Sequence, residues 1–277
     1  MGHFQRIRSG QVDPEAILAD LVAFHTELPG ITEATIGVCT TGSGHTGYDI
    51  LVDQLAPDHR TVADLGCGNG PLLDRLAVLP HLTRIIGVDA CAAEQARVRT
   101  RDARLSFVPS LDAIGTGSLD AVLSHHAFYL FQPPEPVVAS IARVLRPGGI
   151  MAWITTSARG GEHPITVELL TLMSGLVSEA LPHFRGWGDR RQWTPAGRDV
   201  LFGGPEWDPL VTKEFVLLLR EPREVILRRL ADFYYSAWLV DRERLLATWR
   251  GVLRDGPDGQ AVLEWPWACV IARRTDV

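Results

Sequence analysis

Hydrophobic and polar positions in this chain follow two rhythms, one helical and one of short buried runs. Asp13-Pro14-Glu15 predicts a helix start, with an acceptor at the N-cap and Pro in the first turn, followed by an apolar stripe of Ile17, Leu18, Leu21, Val22 and Phe24. A Gly- and Thr-rich stretch, Thr40 to Gly47, leads into a second helix from Tyr48 to about Leu55. From Thr61 onward short apolar runs and helical segments take turns. Strands are predicted at Thr61–Leu65, Arg84–Val88, Leu105–Val108, Ala121–Ser124 and Ile150–Thr155. Helices are predicted at Pro71–Val78, over an Ala-rich segment to about Arg101, and at Glu135–Leu145, the last closed by the turn Arg146-Pro147-Gly148-Gly149. This alternation predicts an α/β fold with a doubly wound, mostly parallel sheet.

The second half reads differently. Gly160 to Gly204 has no strand patterning and carries His183, Phe184, Trp187 and Trp193 among Gly, Pro and Arg. Strands follow at Phe215–Leu219 and Ala261–Ala272, separated by helices at Val225–Trp238 and Asp241 to about Leu253 and a turn at Asp255–Gly259. Two late strands of this kind predict an antiparallel edge on the parallel sheet. Within the first of these helices, Tyr234 and Trp238 are spaced to share one face.

Composition narrows the function classes. At 277 residues, 46% hydrophobic and 22% charged, the chain is an ordinary globular protein with room for a sizeable core. A net charge of −6 and a pI of about 5.8 argue against sequence-independent binding of a phosphate backbone, and no nucleic-acid partner is expected. No apolar run approaches the roughly 18 residues of a membrane span, and no secretory leader is read at the start, so a cytoplasmic protein without a membrane partner is expected. The four cysteines, Cys39, Cys67, Cys91 and Cys269, fit no zinc or disulfide spacing, and no metal constellation is found. Nothing in the composition opposes a homo-oligomer.

Candidate chemistry centres on Asp64-Leu65-Gly66-Cys67-Gly68-Asn69-Gly70, directly after a strand and before a helix that opens on Pro71. Glycines there let the backbone turn sharply and approach a ligand closely. A dinucleotide loop would read G-x-G-x-x-G; here the third glycine comes one residue early. Asp89 ends the next strand, where an acid can accept from ribose hydroxyls, although an Asp at that position also serves as a helix cap.

This D-x-G-x-G-x-G pattern resembles motif I of the class I, Rossmann-like, S-adenosylmethionine-dependent methyltransferases. Arg143-Val144-Leu145-Arg146-Pro147-Gly148-Gly149-Ile150 is similar to the stretch before their fifth strand, and the three signals come in the family's order. The resemblance covers Thr46 to Thr156 and implies a seven-stranded sheet with S-adenosylmethionine as cofactor. It further implies cofactor contacts from Asp64, Gly66, Cys67, Gly68, Asp89, Ala90 and Ser124, with Tyr48 covering the methionine part from an N-terminal helix. The family often has an Asp on the adenine after the third strand. Here the run is Phe107-Val108-Pro109-Ser110-Leu111-Asp112, so Ser110 or the Leu111 backbone is the expected substitute, or Asp112 from a shifted loop.

Open α/β sheets bind ligands at the carboxyl ends of their strands, which brings His125, His126 and Tyr129 forward as proton-handling candidates for a small-molecule acceptor. Either histidine can equally satisfy backbone groups at a strand end. The run typical of enzymes acting on DNA amino groups does not follow the fourth strand. The expected organisation is an N-terminal helical cover over 1–57, a cofactor-binding core over 58–157, a lid over 158–210, and a C-terminal part over 211–277 completing the sheet. A small-molecule N-, O- or C-methyltransferase, as in natural-product tailoring, is the leading reading. A non-methylating use of the cofactor, such as a sulfonium-assisted cyclisation, is the alternative, and an NAD-dependent oxidoreductase is a distant third.

Overall fold

A computed structural model describes residues 3–275. Seven strands form one sheet: β1 (Thr61–Leu65), β2 (Arg84–Val88), β3 (Leu105–Val108), β4 (Leu119–His125), β5 (Leu145–Thr156), β6 (Val211–Glu221) and β7 (Ala261–Arg273). Their order is β3-β2-β1-β4-β5-β7-β6. β1 to β5 pair in parallel, and β7 runs antiparallel to β5. The fold is thus the Rossmann-like α/β class with an antiparallel edge. Strand order reverses between β1 and β4, and β1 and β4 are almost wholly buried, as their continuous apolar runs require.

The described residues divide into two compact units. One comprises 47–158, 187–215 and 267–275; the other comprises 3–46, 159–186 and 216–266. In the first, Ala63, Leu65, Val122, Met151 and Trp153 of the sheet pack with Val138, Ile141 and Val144 of the helix Pro134–Val144 and with Phe202 and Trp207. Asp120 at the start of β4 accepts from the Arg60 and Thr61 amides, both at 2.7 Å, and from Arg146. This pins the amino ends of β1, β4 and β5. The second unit is built around Trp249, fully buried, whose indole donates to the Leu169 carbonyl at 2.8 Å. No helix among the described residues is long and apolar enough to cross a membrane.

Several elements depart from the sequence pattern. The Ala-rich segment after β2 is helical only over Ala92–Gln95, not to Arg101. The turn expected at Arg146–Gly149 lies inside β5: Leu119 pairs with Leu145, and the register then shifts so that Ala121 pairs with Ile150. The helix expected over Val225–Trp238 ends at Phe233, and Tyr235–Leu239 forms a separate 3-10 turn. Tyr234 between them is extended, and its hydroxyl accepts from the Trp265 indole at 2.9 Å, so Tyr234 and Trp238 do not share one helical face. The segment without strand patterning contains a helix at Pro164–Ala180. Its buried Thr166, Leu169, Met173 and Val177 recur at helical spacing, a signal present in the sequence.

Candidate functional site

The glycine loop follows β1 and is tied to the end of β2. The Gly66 and Cys67 amides both donate to the Val88 carbonyl, at 2.7 and 3.1 Å. Gly66 adopts φ of 76°, and a Cβ built on it would lie 2.1 Å from the Ala127 Cβ, so no other residue fits. Gly68, at φ of 49°, has nothing within 4 Å of where its Cβ would stand, which leaves open space beside the loop.

Asp89 joins this loop to the next helix. One carboxylate oxygen accepts from the Gly68 amide and the other from the Cys91 amide, both at 2.8 Å. The N-cap of that helix is Cys91, so Asp89 is not the helix cap that its position also allowed; it closes a local turn onto the Cys91 amide and reaches back to the loop. Asp64 is buried on β1, and burial, followed by the charge of Asp89, lifts its carboxyl well above the usual range. A ligand bringing positive charge beside this acidic pair would favour the ionised form of Asp64. Burial also pushes the Cys67 thiol up, so it is no nucleophile at neutral pH.

The other cofactor-side candidates are less uniform. Ala90 is exposed next to Asp89. Ser110 is exposed and caps the 3-10 turn Leu111–Ala113 by accepting from the Asp112 amide at 3.3 Å. The Leu111 side chain is buried in the core, leaving only its backbone for polar contact. The Ser124 hydroxyl donates to the Leu65 carbonyl at 2.8 Å and cross-links β4 to β1.

Beyond Ser124, β4 ends on His125. This ring is buried, and neither of its nitrogens has a hydrogen-bond partner. It stacks on Tyr48, centroids 3.9 Å apart at 26°, and Arg75 lies over the Tyr48 ring at 4.9 Å while donating to Asp49 at 2.8 Å. Burial, then the neighbouring His126 and Arg75, holds the His125 pKa well below the usual imidazole value. His126 follows in a left-handed conformation, φ of 53°, which turns the chain out of the strand. Its ring meets Trp267 edge-on at 4.0 Å and His125 at 4.7 Å, and burial pushes its pKa down to about 3. Tyr129 is partly buried in the 3-10 turn Phe128–Leu130, and a Cβ on Gly188 would lie 2.0 Å from its carbonyl oxygen.

The structure thus brings Tyr48, His125 and His126 together, and Asp64, Asp89 and the glycine loop together. Three participants had escaped the sequence. A Cβ on Gly47 would lie 2.3 Å from His125 Nε2, so this glycine lets the Tyr48 helix approach the ring. Arg75 sits one turn beyond Pro71, a position whose helical register was readable. Trp267 is brought to His126 by pairing of Thr156 with Trp267 across β5 and β7, which no local signal announces.

Residues 63–153 match the family model described as "Methyltransferase domain". An uncharacterised methyltransferase of Mycobacterium tuberculosis is 29% identical over 49% of this chain and 73% of its own length. Among solved structures, the YcgJ protein of Bacillus subtilis superimposes with a TM-score of 0.53 at 13% identity, covering 82% of this chain and 97% of that one. A Haemonchus contortus N-methyltransferase, solved with phosphomonomethylethanolamine and S-adenosylhomocysteine, gives a TM-score of 0.56 at 15% identity, over 95% of this chain and 60% of that one. At such identities the structural likeness speaks for the fold.

Proposed function

We propose that this chain, which belongs to the class I, Rossmann-like, S-adenosylmethionine-dependent methyltransferases, transfers a methyl group to a nitrogen, oxygen or carbon of a small molecule. S-adenosylmethionine is its cofactor. When bound, it supplies a methyl group already activated by a positively charged sulfur. In this reading the Gly66–Gly70 backbone and Asp64 receive the amino-acid arm of the cofactor. Asp89, whose carboxylate also accepts from the Gly68 and Cys91 amides, accepts from the ribose hydroxyls. Ala90, Ser110 and the Leu111 backbone border the base, and Tyr48 covers the methionine part.

The observation that carries the reading is His125: a buried imidazole at the carboxyl end of β4 with both ring nitrogens unpartnered. A buried polar group without a partner is costly, so a ligand that donates to it is favoured. Its depressed pKa keeps the ring neutral at physiological pH. A neutral imidazole does not repel a cationic cofactor, and it can take the proton of an acceptor hydroxyl or ammonium at Nδ1 or Nε2. His126 and Tyr129 border the same strand end and orient the acceptor. The burial of His125 and His126 suits an enclosed small molecule better than a polymer.

Incubation of the protein with S-adenosylmethionine and a panel of phenols, amines and enols, read by mass spectrometry, tests the proposal. A product heavier by one methyl is expected. S-adenosylhomocysteine should also raise Tm while NAD does not; stabilisation by NAD alone would overturn the assignment.

A further inference from the structure

A second polar cluster lies at the carboxyl end of β5, away from the glycine loop. Gln192, in the 3-10 turn Arg190–Trp193, and Arg198, in the helix Pro195–Leu201, are each 1% exposed. The Gln192 carbonyl accepts from Thr155 Oγ1 at 3.2 Å and from Arg198 Nη1 at 3.4 Å. Thr155 follows Ile154, which pairs with His125 in the sheet register, so this cluster and the imidazole occupy adjacent strand ends. The segment is held by Arg191, which donates to Asp189 at 2.6 Å and pairs with Glu135 at 2.7 Å.

The cluster's side chains are nevertheless incompletely paired. Arg198 Nη2, Gln192 Nε2 and Gln192 Oε1 have no hydrogen-bond partner, and neither does the Trp153 indole nitrogen, two residues before Thr155 on the same strand face. Asp199 and Glu214 act on the Arg198 charge from a distance, but no carboxylate pairs with it among the described residues. An arginine keeps its charge at any accessible pH, so its burial calls for an anion. Guanidinium and carboxamide N–H groups together match the two oxygens of a carboxylate.

We propose that Arg198 and Gln192 bind a carboxylate on the acceptor molecule, so that the substrate class is an organic acid. Arg198 Nη2 and Gln192 Nε2 donate to the carboxylate, and Gln192 Oε1 accepts from a neighbouring hydroxyl or amine of the same ligand. This rests on the methyl-transfer reading above for the word acceptor; the anion site itself does not.

Calorimetric titration of benzoate and, separately, of inorganic phosphate into the full chain saturated with S-adenosylhomocysteine tests it. Benzoate is expected to bind, and R198M and Q192L to weaken it about 10–100-fold, as expected on losing a hydrogen bond to a charged group. Affinity for S-adenosylhomocysteine should be unchanged in both variants. Where R198M does not fold, Q192L, which retains the guanidinium, decides. Absent benzoate binding, or equal affinity in the variants, overturns the site. Arg198-dependent binding of phosphate without benzoate assigns it to a free inorganic anion and overturns the carboxylate. Failure to bind S-adenosylhomocysteine would instead count against the cofactor reading.

Discussion

The carboxyl edge of the sheet has two halves that differ in how fully their polar groups are paired. On the β1–β2 side, Asp89 takes two backbone amides, the Gly66 and Cys67 amides share the Val88 carbonyl, and Ser124 is bonded to Leu65. On the β4–β5 side, the His125 ring, the Gln192 carboxamide and Arg198 Nη2 are buried without partners. An unmet buried polar group costs about 1–3 kcal/mol, so the first half is satisfied by the chain's own groups while the second carries that cost. The difference is one of completeness: a glycine-loop cradle whose polar groups are paired within the chain, and a strand end that keeps unpaired donors and acceptors, where the proposed acceptor site lies.

The sharpest way to break this comparison is at His125. His125→Ala should lower turnover by roughly 10²–10⁴-fold where the acceptor must lose a proton, with S-adenosylhomocysteine affinity retained. Equal loss of cofactor affinity would place His125 on the cradle side. Because its pKa is depressed, the free enzyme's kcat/KM should be flat across neutral pH instead of rising through the usual histidine range.

Gly66→Val probes the cradle. The left-handed backbone costs about 1–2 kcal/mol for a side-chain-bearing residue, and crowding against Ala127 about 1–3 kcal/mol more. Urea unfolding should register both, and calorimetry should find cofactor binding abolished; near-normal values would mean the loop is looser than its hydrogen bonds imply.

Asp89→Ala should weaken S-adenosylhomocysteine by about 1.5–3 kcal/mol, the worth of a hydrogen bond to a charged group. Unchanged affinity in the folded variant would remove Asp89 from the ribose and leave it an acceptor for the Gly68 and Cys91 amides alone.

The last effect, comparable in size, concerns pH and stability. His126 titrates at about 3 in the folded protein and near 6.5 when unfolded, so the unfolded chain binds the extra proton between those values. Stability from this residue is present above 6.5 and lost as pH falls below it, by about 1.4 kcal/mol per pH unit. Asn tolerates the left-handed backbone, so His126→Asn should flatten the acid slope of unfolding free energy by that amount between pH 6 and 4. An unaltered slope would show that His126 is not buried neutral.

Much of the cradle was legible before the fold. β1, β2 and β3 begin and end where the apolar runs do, and the glycine loop and Asp89 sit at strand ends because their motif is local, within one strand-turn-helix unit and its successor. Where two periods competed, the reading failed: Pro147 to Gly149 looked like a terminating turn, yet pairing with β4 absorbed them into β5.

By itself, the sequence determined the parallel sheet, its antiparallel edge and the loop that marks the family, since each depends on residue type at short spacing. Tertiary structure alone decided which polar groups would be left over. Tyr48 on His125, Trp267 on His126 and Gln192 beside Thr155 join residues distant in the chain. Whether a buried nitrogen finds a partner depends on every element packed around it, and no local pattern encodes that sum.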